Sequence, residues 1–169
     1  MPITEYASVI TKNNKVGVIG TEGTVRSGTF IRELTKLNNN LKVFQKACPL
    51  FVPIIENGNH NDKFTDEIIE FYLKDLVKKD IDTLILGCTH YKVLENKIKK
   101  FLPKSIKVID ERKVVANKLK DYLKRHYEIE KVLSKKSKRE FNSTDITEKF
   151  EKLGSKFFGE KIKVKKVEI

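Results

Sequence analysis

Short apolar segments alternate with amphipathic segments from Lys15 to Ile109, and this alternation constrains the fold more than any other feature. The segments of strand type are 15–19, 41–44, 82–86 and 106–109. The segments of helical type between them are 25–37, 62–79 and 93–102. Parallel strands need long crossover connections, which are usually helices. The order therefore predicts an α/β fold, with an open parallel sheet flanked by helices on both faces.

The remaining segments are predicted from local signals. Two prolines, Pro49 and Pro53, predict a loop over 47–53, because proline disrupts a helix interior. After residue 110 the sequence predicts a helix at 112–126, a charged and mobile connection at 128–139 and a short strand at 140–142. A second helix at 147–157, with Ser143-Thr144-Asp145 as its N-terminal cap, and a β-like end at 161–169 follow. The predicted organisation is thus an α/β lobe over residues 1–110 and a helix-rich C-terminal segment over 111–169.

The sequence Gly87-Cys88-Thr89-His90 directly follows the predicted strand that ends at Leu86. Open α/β sheets bind ligands at the carboxyl ends of their strands. A helix start there would favour a thiolate, which is the reactive form of cysteine. The alternative for each residue is structural: a packed cysteine, a threonine N-cap and a buried histidine. Their succession after a glycine makes a reactive thiol, with a hydroxyl and an imidazole beside it, an equal alternative to the structural interpretation.

A glycine- and threonine-rich turn, Gly20 to Gly28, follows the first predicted strand. Thr21 and Thr24 offer hydroxyls, and a helix start offers N–H groups, so the turn suits a small anion such as an amino-acid carboxylate. A simple turn with Thr24 as the helix N-cap is an equal alternative. The turn lacks the Walker A pattern, so a nucleoside triphosphate is not expected.

Composition narrows the class of protein. The two cysteines are far apart without CxxC spacing, which favours neither a zinc site nor a disulfide, so we expect no metal and a reduced, cytoplasmic setting. The sequence contains neither a signal-peptide pattern at its start nor an apolar run of membrane-spanning length. The net charge is +12, yet the lysines are scattered among acidic and apolar residues, so no nucleic acid is expected as partner.

Four stretches together resemble the bacterial glutamate racemase family: GTEGTVRSG at 20–28, ACPLFVPIIE at 47–56, LILGCTHY at 84–91 and FNSTDITEKFEKLGSKFFG at 141–159. The resemblance implies cofactor-independent interconversion of L- and D-glutamate, which supplies D-glutamate for peptidoglycan. It also implies two similar α/β lobes with the active site between them. Two cysteines on opposite faces of the substrate Cα would exchange its proton, one as thiolate and one as thiol.

Matched residue by residue, Cys88 is implied to be the second of the two catalytic cysteines, His90 to assist it, and Glu56 to tune that histidine. Three threonines are implied to bind substrate: Thr21, Thr24 and Thr89. Without the resemblance, Glu56 would be interpreted as a solvated loop carboxylate. Cys48 matches a non-catalytic segment, so it is expected to be a buried packing residue.

The motifs of the family's other half, a CNT-type cysteine and an early Asp-Ser pair, do not occur in this sequence. By the family template, residues 111–169 would pack on an absent lobe, leaving apolar tail residues such as Leu119 and Phe150 without their usual sheet. We therefore expect poor racemisation by the chain alone, with a separate N-terminal half or a homo-oligomer as possible partners. Two local departures are Lys92, where the family usually has proline, and Asp110-Glu111-Arg112, where it has an Asp-Ser type sequence.

Two other functions stay open. One is a catalytically silent half-domain that binds an amino acid or a partner protein. The other is a racemase of a different amino acid or of a hydantoin.

Overall fold

The computed structural model of the protein describes residues 1–135 and 137–168, with only the backbone described for residues 148 and 149. Contacts divide the chain into two compact units, Met1–Tyr122 and Leu123–Ile169. The division falls inside a helix. The boundary after residue 110 and the packing of residues 111–169 on another lobe stay predictions.

In the described part of the first unit, four parallel strands form one sheet in the order β2-β1-β3-β4. Their bounds are Lys15–Gly20 for β1, Lys42–Ala47 for β2, Thr83–Leu86 for β3 and Lys107–Asp110 for β4. Ile19 of β1 lies opposite Lys46 of β2 and Leu86 of β3. The two inner strands therefore end at the same edge of the sheet, and the predicted parallel sheet is confirmed.

The helices of this unit cover both faces of the sheet. They are α1 (Pro2–Ile10), α2 (Glu22–Ser27), α3 (Thr29–Leu37), α4 (Phe51–Glu56), α5 (Lys63–Val77), α6 (Glu95–Phe101) and α7 (Glu111–Arg125), with 3-10 helices at Asn59–Asn61 and Thr89–Leu94. Successive strand residues point to opposite faces. Accordingly Leu84 and Leu86 join a cluster with α4, α5 and α6, whereas Ile85 joins one with α1 and α3.

The predicted helix at 25–37 is two helices instead of one. Gly28 has φ +61°, a left-handed conformation that ends α2 and begins α3. The first of the two helices begins earlier than predicted, at Glu22, and its N-cap is Thr21 rather than Thr24. The Thr21 hydroxyl oxygen accepts a hydrogen bond from the Thr24 backbone N–H at 3.3 Å.

The prediction of a loop at 47–53 was wrong in its second half, where α4 begins at Phe51. Pro53 occupies the third position of this helix. The first four N–H groups of a helix have no intrahelical partner, so a proline there removes no helical hydrogen bond. The N-terminal helix α1 was not predicted either, and Pro2 occupies its first position, which proline favours for the same reason.

The second unit contains α8 (Tyr127–Val132), β5 (Phe141–Ser143), α9 (Glu148–Phe158) and β6 (Val164–Lys166), with β5 and β6 paired in parallel. The N-cap of α9 is Thr147, whereas the predicted cap segment at 143–145 lies at the end of β5, where the Ser143 hydroxyl donates to the Asp145 carbonyl. Of the connection predicted at 128–139, residues 128–132 belong to α8. Residues 136 and 169, which belong to the predicted connection and end, lie outside the described residues.

Several apolar side chains near the C-terminus are exposed: Leu119 55%, Phe150 47%, Phe157 43% and Phe158 40%. Among the described residues, no helix combines the length and the apolar character needed to cross a bilayer.

Candidate functional site

The loops after β1 and β3 leave the same edge of the sheet. The Gly87 N–H donates to the Ile19 carbonyl at 2.8 Å. A Cβ on Gly87 would lie 2.9 Å from that carbonyl oxygen and 3.0 Å from the Phe30 ring, so glycine allows this close approach. Thr21 and Cys88, which follow β1 and β3, therefore start from neighbouring points.

Thr21 and Thr24 form one compact turn. Their hydroxyl oxygens lie 3.0 Å apart, and the turn packs so tightly that a Cβ on Gly20 would lie 2.8 Å from the Thr24 methyl carbon. One hydroxyl donates to the other, which leaves the second hydroxyl proton for another acceptor. The turn therefore serves as a helix cap and still presents a donor.

Cys88, His90 and Glu56 are connected by two polar contacts. The Cys88 Sγ lies 3.8 Å from His90 Nδ1, and His90 Nε2 lies 3.4 Å from Glu56 Oε1. The side chains of His90 and Glu56 are 35% and 42% exposed, and Cys88 is also partly accessible. One imidazole nitrogen thus faces a thiol and the other a carboxylate, an arrangement that can take the thiol proton and stabilise the resulting imidazolium.

The local backbone brings the thiol and the imidazole together. Cys88 is extended (φ −145°, ψ 137°) and precedes the 3-10 helix Thr89–Leu94, with α6 following from Glu95. Between the strand and the predicted helix, the structure therefore has a short 3-10 helix. Thr89 is exposed at its start, and its predicted contact with substrate stays a prediction.

The other cysteine has a different environment. Cys48 is fully buried in the cluster beneath α4 and α5, and burial raises the pKa of its thiol to about 12. At neutral pH it is a neutral, inaccessible thiol, which agrees with the predicted packing role.

Two features near this site were not found from the sequence. The buried Tyr91 hydroxyl donates to the Cys48 carbonyl at 2.9 Å, and its ring packs edge-on against Phe51 at 5.1 Å. Lys92 forms ion pairs with Glu95 and with Asp110, the latter at 3.5 Å. The contacts of Tyr91 and the Lys92–Asp110 pair join residues that are remote in the chain, so no local pattern indicates them; the Lys92–Glu95 pair has the local i,i+3 spacing of helical neighbours. Within the described residues, no three His, Cys, Asp or Glu side chains cluster as a metal site.

Comparison with known proteins identifies the family. Residues 4–119 match the Asp/Glu/Hydantoin racemase model. The chain is 39% identical over 168 residues to a glutamate racemase of Sulfurihydrogenibium sp. and 41% identical over 168 residues to that of Persephonella marina. Each alignment covers 99% of this chain and 61% of the relative.

Solved structures agree with the relatives. A glutamate racemase isoform of Bacillus anthracis superposes with a TM-score of 0.88 at 34% identity, over 99% of this chain and 62% of that one. The glutamate racemase of Francisella tularensis, in complex with D-glutamate, has a TM-score of 0.85 at 31% identity, with the same coverage of 99% and 62%. The chain thus spans about 60% of the length of these proteins, and it belongs to the Asp/Glu/Hydantoin racemase family.

Proposed function

We propose that this chain carries one half of a cofactor-independent glutamate racemase site, with Cys88 as its acid/base. The observation that carries the proposal is the contact chain from the Cys88 sulfur through His90 to Glu56. It gives a partly accessible thiol a proton acceptor, and it gives that acceptor a carboxylate.

The proposed reaction is a proton transfer at the Cα of glutamate. The Cys88 thiolate removes the Cα proton and becomes a thiol, and the electron pair stays on the substrate as a carbanion conjugated with its carboxylate. His90 takes the thiol proton to regenerate the thiolate, and Glu56 stabilises the charged imidazole. We assign the substrate contacts to Thr21, Thr24 and Thr89, whose hydroxyls can donate to a carboxylate as its charge increases.

Inversion needs a second acid on the opposite face of Cα. Cys48 does not suit this role, because it is fully buried and its thiol has a pKa of about 12. We propose that the second acid comes from another polypeptide segment, either an N-terminal lobe or a second copy of the chain. The 61% coverage of the relatives supports the first source.

The names of the relatives support glutamate as substrate, and the bound D-glutamate of the Francisella structure is consistent with it. We infer a role in supplying D-glutamate for peptidoglycan. We also infer a cytoplasmic setting, because both thiols are unpaired, which is typical of reducing compartments.

The test follows the Cα proton of L-glutamate in D2O by NMR and the product enantiomers by chiral chromatography. The chain is assayed alone and after co-expression with the N-terminal part of the Persephonella marina relative. We expect D-glutamate with the pair, loss of at least about 100-fold with Cys88→Ser, and little change with the matched control Cys48→Ala. Undiminished turnover by Cys88→Ser would overturn the proposal.

The same assay separates the other candidates. L-aspartate and a hydantoin, assayed beside glutamate, test the breadth of substrates that the family description allows. Binding of glutamate by titration calorimetry, without exchange in either preparation, would instead indicate a silent binding module.

A further inference from the structure

The backbone of Cys48 connects the three loops that follow β1, β2 and β3 by hydrogen bonds. Its N–H donates to the Gly20 carbonyl at 2.9 Å, and its carbonyl accepts the Tyr91 hydroxyl at 2.9 Å. The Tyr91 N–H in turn donates to the Cys88 carbonyl at 3.1 Å. The backbone beside the thiol is thereby tied to the turn that holds the threonines.

The ring of Tyr91 also connects the thiol loop to the helix that carries Glu56. Tyr91 packs edge-on against Phe51 at 5.1 Å, and Phe51 is the first residue of α4, which ends at Glu56. Both rings are fully buried. Burial raises the pKa of the Tyr91 phenol, so it stays protonated and acts as a donor. The ring packing of Tyr91 and the hydrogen bond of its hydroxyl, directly after His90 in the chain, limit how far these segments can separate.

We propose that Tyr91 is a positioning residue, whose hydroxyl holds the Cys88–His90 turn in register with Glu56 and the Thr21 turn through the Cys48 carbonyl. The proposal rests on the proposed acid/base role of Cys88 and His90. Tyr91 itself acts only through these residues.

The experiment is a double-mutant cycle on the alkylation rate of Cys88 by iodoacetamide, with the labelled residue identified by mass spectrometry. The variants are Tyr91→Phe, His90→Asn and their combination. Tyr91→Phe keeps the ring and removes the hydroxyl alone. The matched control is Tyr72→Phe, because Tyr72 is a second buried tyrosine that packs on Phe51, at 5.3 Å, while its hydroxyl contacts the backbone of Leu50.

We expect His90→Asn to slow alkylation of Cys88 when Tyr91 is present. In the Tyr91→Phe background, the factor by which His90→Asn slows alkylation should be smaller by about threefold or more. In the Tyr72→Phe background the effect of His90→Asn should be unchanged. A purely structural role would lower the stability of both tyrosine variants and leave the His90 effect intact in each, which would overturn the proposal.

A second measurement uses the unmodified protein and does not depend on the folding of a variant. Amide hydrogen exchange at Tyr91 should be as slow as in β3, and fast exchange there would contradict a fixed turn. These measurements need no turnover. A failure of the positioning role is therefore distinct from a failure of Cys88→Ser to abolish racemisation.

Discussion

The sharpest consequence of the structure is that iodoacetamide should distinguish the two thiols of the native chain. Cys48 is fully buried with a pKa of about 12, whereas Cys88 is partly accessible at the sheet edge. At pH 8 a thiol with a pKa of about 12 is ~0.01% thiolate, and its burial also excludes the reagent. We therefore expect alkylation of Cys48 to be slower than that of Cys88 by at least about 100-fold.

The assay is time-resolved alkylation at pH 8, with each cysteine quantified by mass spectrometry after digestion. Cys88→Ser should abolish fast labelling of the native protein, and Cys48→Ala should leave it unchanged. In concentrated urea both cysteines should react at similar rates, which controls for the reagent. Labelling of Cys48 within about tenfold of Cys88 under native conditions would refute the reasoning from burial.

Three further predictions concern single side chains. Glu56→Gln should slow Cys88 alkylation by less than about fivefold, because both members of the His90 pair are more than a third exposed; a larger loss would show that the ion pair is better shielded. Asp82→Ala should lower the free energy of unfolding by about 1–2 kcal/mol in urea titrations, because the carboxylate accepts hydrogen bonds from Thr11, Lys12, Asn13 and Thr83. Burial opposes ionisation of Asp82, but these bonds hold its pKa below the usual range. The stabilisation by Asp82 is therefore complete above about pH 4 and is lost as the pH falls through the lowered pKa of the folded state. An Asp82→Ala variant whose stability falls with acid as steeply as that of the unmodified protein would contradict this. Gly87→Ala should cost about 1–3 kcal/mol, since the new Cβ would meet the Ile19 carbonyl at 2.9 Å; a neutral substitution in the same titration would show that the loop can shift.

The sequence predicted the sheet because its strands are locally encoded. The apolar runs ending at Ile19 and Leu86 are short and separated by helical segments, and such an order has few compact solutions. The contact of Cys88 with His90 could also be predicted from the sequence, because only one residue separates them in the chain.

Local signals predicted helix boundaries less reliably where the same residue types suit two local structures. Threonine caps a helix equally well at position 21 or 24, and in the structure α2 begins at Glu22 with Thr21 as its N-cap. The two prolines at 49 and 53 indicated a loop, although a proline in the first helical turn costs no hydrogen bond. The observed α4 then carries Glu56 toward His90.

By itself the sequence determined the α/β class, the position of Cys88 after a strand and the types of side chain that follow it. The burial of Cys48 was predicted and is confirmed, whereas only the tertiary structure decided that the Tyr91 hydroxyl connects the Cys88 loop to the loop after β2. The physical reason is that burial and long-range hydrogen bonds depend on which segments pack together, and no local pattern records a partner that is remote along the chain.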